Sequence, residues 1–331
     1  LGQALVHDSN VMRLNNPGSS DLIVTAINLS DSNDYNIELL DATGSTATLP
    51  INIAAGSYAD LDITFIGTTG TGSNDIFVES IEIISNADNA LHNKATLHGA
   101  YSPQPEGGDE INAQEVFDAF GFQTSMLSIV NDEGTIVPPN TKTTNPSSNY
   151  PIPENIDAGY EGDLILSNNF VQADPSKPVI GIQLSALHGG PSSNGAQFVA
   201  VNGTSTVGGI NFSHNASYYQ TLLPKNNGGV INYDTANNIS GAFRIAVSGY
   251  LTSGGNNLNG NRPDLLGARV YKVIDHNGNV IPNEYIVLQD FVQGGCGAGS
   301  ANCDWNDNTF YFINIRPEGV PSAQPIEDLM V

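Results

Sequence analysis

The sequence predicts an all-β protein made of two consecutive β-sandwiches. Apolar and polar residues alternate in short segments along most of the chain, which is the period of a β-strand with one buried face. These segments recur roughly every ten residues, with turn-forming Gly, Pro, Asn and Asp between them, a spacing that favours antiparallel sandwiches.

The first hundred residues show this alternation most clearly. The alternating segments are residues 22–29, 35–40, 59–66, 76–84 and 95–97. They predict a first sandwich over residues 1–101.

Three parts of this region resemble one known family. They are residues 51–65, where Ala-Gly precedes an alternating strand that ends in Phe, residues 81–88, which end in Ser-Asn-Ala-Asp, and residues 95–99, which close with Gly. In this arrangement residues 1–101 resemble an ASPM–SPD-2–Hydin-like immunoglobulin-like domain. The resemblance implies an immunoglobulin-like sandwich that acts as a spacer or scaffold, without catalytic residues.

A linker and a helix separate the two predicted sandwiches. Residues 102–110 are rich in Pro and Gly, which is typical of segments between domains. The following segment, residues 111–121, predicts one short helix, with Asn112 as its cap, Glu115 three residues on and Gly121 at its end.

Residues 111–331 predict a larger, jelly-roll-like antiparallel sandwich. The expected strands are residues 163–166, 179–187, 196–201, 243–250, 268–274, 284–291 and 309–315. Within this region, the Asn277-Gly278 pair predicts a hairpin with a type I′ turn.

The end of this region resembles a second group of known proteins. Because the hairpin is followed by the Asp-Trp-Asn-Asp sequence at residues 304–307, residues 240–317 resemble β-sandwich modules of large secreted bacterial proteins found beside malectin-like or other carbohydrate-binding domains. This resemblance implies an extracellular, non-catalytic module.

The charge composition argues against two classes of partner. The chain has 10 Lys and Arg against 34 Asp and Glu, a formal net charge of −24. So few cations cannot neutralise a row of phosphates, which argues against nucleic acid and against adsorption to anionic lipid. No apolar run reaches the roughly 18 residues that suggest a membrane-spanning helix, so we expect no membrane insertion.

The two cysteines point to an oxidising compartment. Cys296 and Cys303 lie in one Gly-rich segment. A disulfide between them would close a short loop and stabilise the fold by about 2.5 kcal/mol. The alternative, a pair of metal-binding thiolates, lacks the further ligands that a zinc site needs. The disulfide predicts an extracellular or cell-surface protein.

No catalytic motif is recognisable in the sequence. It contains neither the H-E-x-x-H zinc motif nor the G-x-S-x-G nucleophile motif, and its many acidic residues single out no glycosidase pair. We therefore expect that the protein is not an enzyme.

Calcium is the cofactor that the sequence suggests. Oxygen-bearing side chains crowd one loop at Asp304, Asn306, Asp307 and Asn308, and a second set repeats at Asp275, Asn277 and Asn279. Hard cations prefer such oxygen ligands. For the second set a plain hairpin turn is an alternative, since Asn-Gly in a hairpin requires no metal.

The candidate ligand-binding residues are aromatic. Trp305 lies within the predicted calcium loop, and Tyr218 and Tyr219 are further candidates for stacking on a sugar. Each could instead belong to the core. These features predict a secreted, non-catalytic module that binds a glycan or a cell-surface partner, with calcium as its candidate cofactor. The alternative is a structural subunit of an extracellular filament, sheath or surface layer, in which copies of the chain assemble by exchanging strands.

Overall fold

The computed structural model confirms the all-β prediction. It describes residues 9–318, except for 32, 69–74, 88–92, 102–110, 112, 126–128, 131–135, 138–162, 164, 166, 168, 189–193, 202–204, 216–217, 219, 248–249, 252–267 and 290–305. The chain divides into two compact units, Gly2–Pro103 and Gln104–Val331. The predicted linker, residues 102–110, lies outside the described residues.

The smaller unit contains seven antiparallel strands in two sheets. The strands are β1 (Ser9–Asn15), β2 (Leu22–Leu29), β3 (Tyr35–Leu40), β4 (Ile51–Ile53), β5 (Tyr58–Phe65), β6 (Asp75–Ser85) and β7 (Lys94–Tyr101). One sheet has the order β1-β5-β3 and the other β4-β2-β6-β7.

Alternation along the strands places the core of the smaller unit between its sheets. In β5, Ala59, Leu61 and Ile63 are buried while the residues between them are more exposed. They pack with Val24 of β2 and Ile81 of β6 from the other sheet. A one-residue shift in register would turn this apolar face outward, so the pattern determines the pairing.

The larger unit contains the remaining strands. They are β8 (Ile129–Val130), β9 (Ile136–Val137), β10 (Phe170–Gln172), β11 (Val179–Leu187), β12 (Asn194–Ala200), β13 (Thr206–Phe212), β14 (Gln220–Leu222), β15 (Tyr233–Ala236), β16 (Phe243–Val247), β17 (Tyr250–Leu251), β18 (Ala268–Ile274), β19 (Val280–Gln289), β20 (Asn308–Ile313) and β21 (Ile315–Pro317). One six-stranded sheet has the order β13-β12-β16-β10-β21, with β17 on β16. The other has the order β14-β11-β20-β19-β18, with β15 on β11, and β8 pairs with β9 separately.

Phenylalanine side chains from both six-stranded sheets form the core of the larger unit. The rings of Phe212 and Phe310 stack with centroids 4.5 Å apart, and Phe198 lies 4.7 Å from Phe243. Phe312 contacts both Phe198 and Phe212 edge-on. Such ring pairs add favourable geometry to the hydrophobic effect of burial.

The predicted helix is present as α1 (Ala113–Ala119). It buries Val116 and Phe117, and the Phe117 ring packs edge-on against Tyr271 of β18. Gly121, with φ +71°, ends the helix, and the N–H of Phe122 donates to the carbonyl of Phe117. This is the common glycine-terminated helix end.

One local prediction is described only in part and another is wrong. Of the strand predicted over residues 163–166, only residues 163 and 165 are described, and neither of them is in a strand. The Asn277-Gly278 turn is not type I′, because only Gly278 has a positive φ, +81°. Instead the Gly278 N–H donates to the Asp275 carbonyl and glycine provides the left-handed residue that follows the turn.

Candidate functional site

An apolar groove opens between the two sheets of the smaller unit. The cavity has a volume of about 540 Å³. Its apolar lining comprises Ile27 and Leu29 of β2, Ile37 and Leu39 of β3, and Ala47 and Leu49 of the segment before β4. Most of these side chains are only half-buried, and Leu49 is 39% exposed. The apolar side chains that line the groove therefore form an edge of the core that is accessible to solvent.

Two strand edges border this groove. Along the outer edge of β2, β4 pairs only with Leu22 to Val24, so the hydrogen-bonded pairing of these two strands stops before Leu29. Beyond its pairing with β5, β3 has one bridge, from Leu40 to Thr46, and the Ala47 N–H donates to the Leu39 carbonyl. Within the described part of the smaller unit, the rest of each outer edge has no strand partner, which is the condition for adding another strand.

Three carboxylates gather at the connection from β2 to β3. Oxygens of Asp31, Asp34 and Glu79 all lie within 4.8 Å of one another. Burial raises the pKa of Asp34, and the negative charges of Asp31, Glu79 and Asp75 raise it further. Asp31 follows the end of β2 and Asp34 precedes β3, so the cluster lies at the connection between the two strands that line the groove.

Of the three predicted sugar-binding aromatics, only Tyr218 is among the described residues. Tyr218 is half-buried, and its backbone N–H donates to the carbonyl of Asn215. Trp305 and Tyr219 lie outside the described residues, as do Cys296 and Cys303. The stacking role and the disulfide therefore stay predictions.

The described residues of the predicted calcium loop are buried. The Asn306 side chain donates to the carbonyl of Ile111, and the backbone carbonyl of Asp307 accepts from the N–H of Leu187. Asp304 lies outside the described residues, and calcium binding in this loop stays a prediction.

Asn308 belongs to a chain of buried amides along adjacent strands of one sheet of the larger unit. The Gln183 amide donates to Asn308 over 2.9 Å, and Asn308 donates to Gln289 over 2.7 Å. Asn232 donates to Gln183 over 2.7 Å. Buried amides require such partners, so this network fixes how β11, β19 and β20 align.

The second predicted calcium set forms a turn. The carboxylate of Asp275 accepts the backbone N–H groups of Asn277 and Asn279 and the side-chain amide of Asn279. The hydrogen bond from the Asn279 backbone is the main cause of the lowered pKa of Asp275. The same turn, with an Asp or Asn in first position, occurs at Asp41 and at Asn226. The contacts agree with the alternative of a plain hairpin turn, and calcium at this set stays a prediction.

Sequence reasoning did not anticipate a contact between two buried histidines. His188 and His214 are 4% and 6% exposed, and their Nε2 atoms lie 3.3 Å apart. The two residues are 26 positions apart and follow β11 and β13, respectively. No motif links them, and β11 and β13 belong to different sheets, so only the packing of the two sheets of the larger unit brings them together.

The described residues contain no helix of the length and apolarity required to cross a bilayer.

No protein-family model matches the sequence, and no curated protein matches it. The two family resemblances therefore stay predictions.

Two chaperones are among the solved structures to which the chain is similar. The chain is similar to the YadV chaperone, with 12% identity and a TM-score of 0.21, and to the CupB2 chaperone of Pseudomonas aeruginosa, with 8% identity and a TM-score of 0.22. Each match covers 83% of this chain and 90% of the other. At these TM-scores, the superpositions support no argument about residues or mechanism.

The comparison nevertheless corrects the function expected from the sequence. Both similar structures are described as chaperones, and neither is described as a carbohydrate-binding, adhesion or filament protein. The expectation of a secreted carbohydrate-binding or adhesion module, and its alternative of a filament, sheath or surface-layer subunit, is therefore wrong. The comparison gives no support to a glycan partner.

Proposed function

We propose that this protein binds an extended segment of another protein in the groove of its smaller unit, without catalysing a reaction. The observation that carries the proposal is the apolar groove of about 540 Å³ between two incompletely paired strand edges. A protein partner agrees with the two chaperones among similar structures, but the proposal rests on the groove alone. We further propose that the protein is exported, as expected from the predicted disulfide.

The outer edge of β2 is the most suitable place for the added strand. Past Val24, this edge has backbone groups available to a new strand, while Ile27 and Leu29 line the groove beneath it. Recognition by strand addition combines main-chain hydrogen bonds with pockets for alternate side chains. The occupant would therefore place every second side chain, an aliphatic one, into the groove.

The charge of the groove specifies a second property of the occupant. Asp31, Asp34 and Glu79 gather at the connection between the two strands that line the groove, and the whole chain carries a formal charge of −24. A Lys or Arg at the matching end of the partner segment would offset the negative charges of Asp31, Glu79 and Asp75, which add to burial in raising the pKa of Asp34. The expected partner segment is thus aliphatic in alternation and basic at one end.

A labelled peptide tests this proposal. The probe is a synthetic peptide of about ten residues, strand length with short ends, that alternates Val with Thr and carries one terminal Arg. We expect its binding, measured by fluorescence anisotropy, to be at least about tenfold weaker in Leu49→Lys, because a charge at the groove rim opposes burial of an aliphatic side chain.

The matched control is Val11→Lys. Val11 is 55% exposed on β1, on the far side of β5 from β3, so this variant adds the same charge away from the groove. It should bind the peptide with the same affinity as the wild type. A peptide of the same composition with its Val residues grouped together should bind more weakly.

Several outcomes would contradict the proposal. Equal binding of the alternating and grouped peptides, or equal loss in both Lys variants, would overturn strand addition in the groove. Self-association abolished by Leu49→Lys would identify a second copy of the chain as the occupant instead. A polysaccharide that displaces the peptide would point to a non-protein ligand.

A further inference from the structure

The pair His188 and His214 has the geometry of two ligands of one metal ion. Their Nε2 atoms face each other at 3.3 Å, and their rings are inclined by 47°. With Zn–N bonds of about 2.0–2.1 Å and tetrahedral angles, two ligand nitrogens lie about 3.3 Å apart. An ion placed between these rings would therefore require little movement of either nitrogen.

The second nitrogen of His214 already has the partner that metal-binding histidines use. Its Nδ1 lies 2.9 Å from the backbone carbonyl of Asn215. Since a carbonyl only accepts, Nδ1 carries the proton and the neutral ring presents the Nε2 lone pair toward His188. A carbonyl on the far nitrogen fixes the tautomer and the ring orientation in many metal sites.

We propose that His188 and His214 bind one divalent transition-metal ion through their Nε2 atoms. Imidazole nitrogen suits Zn²⁺, Cu²⁺ and Ni²⁺, whereas Ca²⁺ prefers oxygen, so Zn²⁺ is the first candidate. Among the described residues no third His, Cys, Asp or Glu joins the pair, so water is expected to occupy positions around the ion. This site lies in the larger unit and is independent of the groove.

The position of the pair gives the ion a structural role. Next to His188, the Leu187 N–H donates to the Asp307 carbonyl, and the N–H of Asn215, next to His214, donates to the Lys225 carbonyl. An ion held by both rings would tie the end of β11 to the segment that follows β13. We therefore expect Zn²⁺ to stabilise the larger unit by mass action.

Zinc titration of the full chain without a polyhistidine tag tests the site. Isothermal titration calorimetry should show one Zn²⁺ per chain. His188→Ala and His214→Ala should each weaken this binding by at least about tenfold, because each removes one of two protein ligands. His276→Ala is the matched control, since His276 is exposed in a hairpin turn, and it should bind like the wild type.

A second measurement uses only the wild type and so does not depend on the folding of the variants. Long-range proton–nitrogen NMR spectra should show Zn²⁺ shifting the Nε2 resonances of both rings while the Nδ1 of His214 keeps its proton. If the wild type binds no Zn²⁺, or if binding survives in both alanine variants, the proposal is overturned. Unchanged Nε2 resonances on Zn²⁺ addition would instead assign the contact to an N–H···N hydrogen bond.

Discussion

The smaller unit and the larger unit close their cores in different ways. In the larger unit, phenylalanine rings from both six-stranded sheets are fully buried, among them Phe170, Phe198 and Phe312. In the smaller unit, Leu61 and Ile81 are fully buried, but half-buried aliphatic residues such as Leu29 continue the core to an open rim. Among the described residues, the larger unit thus has a fully buried, or sealed, interior. The smaller unit, also a β-sandwich, has an apolar edge that is accessible to solvent.

The aromatic residues of the smaller unit show the same contrast. Phe65 lies between Tyr35 and Phe77, with ring centroids 5.4 and 5.3 Å away. Phe65 is half-buried, whereas Phe212 and Phe310 of the larger unit are completely buried. A side chain that is packed on all sides has no room to shift when a neighbouring residue is enlarged, whereas a half-buried side chain has room on its solvent side.

The largest expected effect separates the two cores directly. Phe312→Ala removes a ring that contacts Phe198 and Phe212, so we expect a loss of about 3–5 kcal/mol in the free energy of unfolding. Urea unfolding followed by the fluorescence of Trp305, the only tryptophan, reports on the larger unit. The control, Leu29→Ala, truncates a half-buried side chain of the smaller unit and should cost less, as measured by circular dichroism. Equal losses would contradict a difference between a sealed and an open core.

A smaller effect is expected from adding one methyl group to each unit. A Cβ at Gly181 would lie 2.6 Å from Cζ of Phe212 and 3.0 Å from Cδ1 of Ile210. Because these buried side chains have no free space, Gly181→Ala should lower the free energy of unfolding by about 1–3 kcal/mol.

The matched substitution in the smaller unit is Gly99→Ala. A Cβ there would lie 2.4 Å from Cδ2 of Phe65, an even closer approach. Phe65 is half-buried, so we expect it to shift at lower cost than the fully buried Phe212, and this variant should lose less stability in urea unfolding than Gly181→Ala. The opposite order would show that the rim is packed as rigidly as the sealed core.

The smallest expected effect is a pH dependence of the larger unit alone. Burial lowers the pKa of His214 in the folded protein, whereas an unfolded histidine has a pKa of about 6.5. As pH falls below about 6.5, the unfolded chain takes up a proton that folded His214 resists, so stability declines until the folded pKa is reached.

Melting temperatures between pH 7.5 and pH 5, measured with a chelator present, test this dependence. The decline should be less steep in His214→Gln than in the wild type, since glutamine does not titrate. His276→Gln, which alters an exposed histidine, should follow the wild type. Identical slopes in all three proteins would remove His214 as the cause.

Much of the strand structure follows from local pattern. Residues 22–29, 35–40, 179–187 and 268–274 were predicted as strands and are β2, β3, β11 and β18 with the same bounds. Alternation identifies such segments because one face of each strand is buried. The short strands β4, β14 and β21 have three residues each, too few for a period to be recognised.

The candidate sites were much less predictable. Apolar residues at positions 27, 29, 37 and 39 indicate inward faces, but nothing local tells that β4 pairs with β2 only as far as Val24. The length of the pairing between β4 and β2 decides whether Leu29 faces a closed core or an open groove. The carboxylate of Asp275 was predicted as a calcium ligand because its sequence pattern suits both a metal loop and a capped turn.

By itself the sequence determined the all-β class, most strand positions, the short helix α1 and the excess of negative charge. These properties depend on residue type and on neighbours within a few positions. Only the tertiary structure decided which sheet edges remain open, that three carboxylates gather at the connection from β2 to β3, and that His188 contacts His214. Those features depend on which distant strands pair and on how the two sheets of a unit pack. Both are determined by burial across the whole core, to which each single segment contributes only a small part.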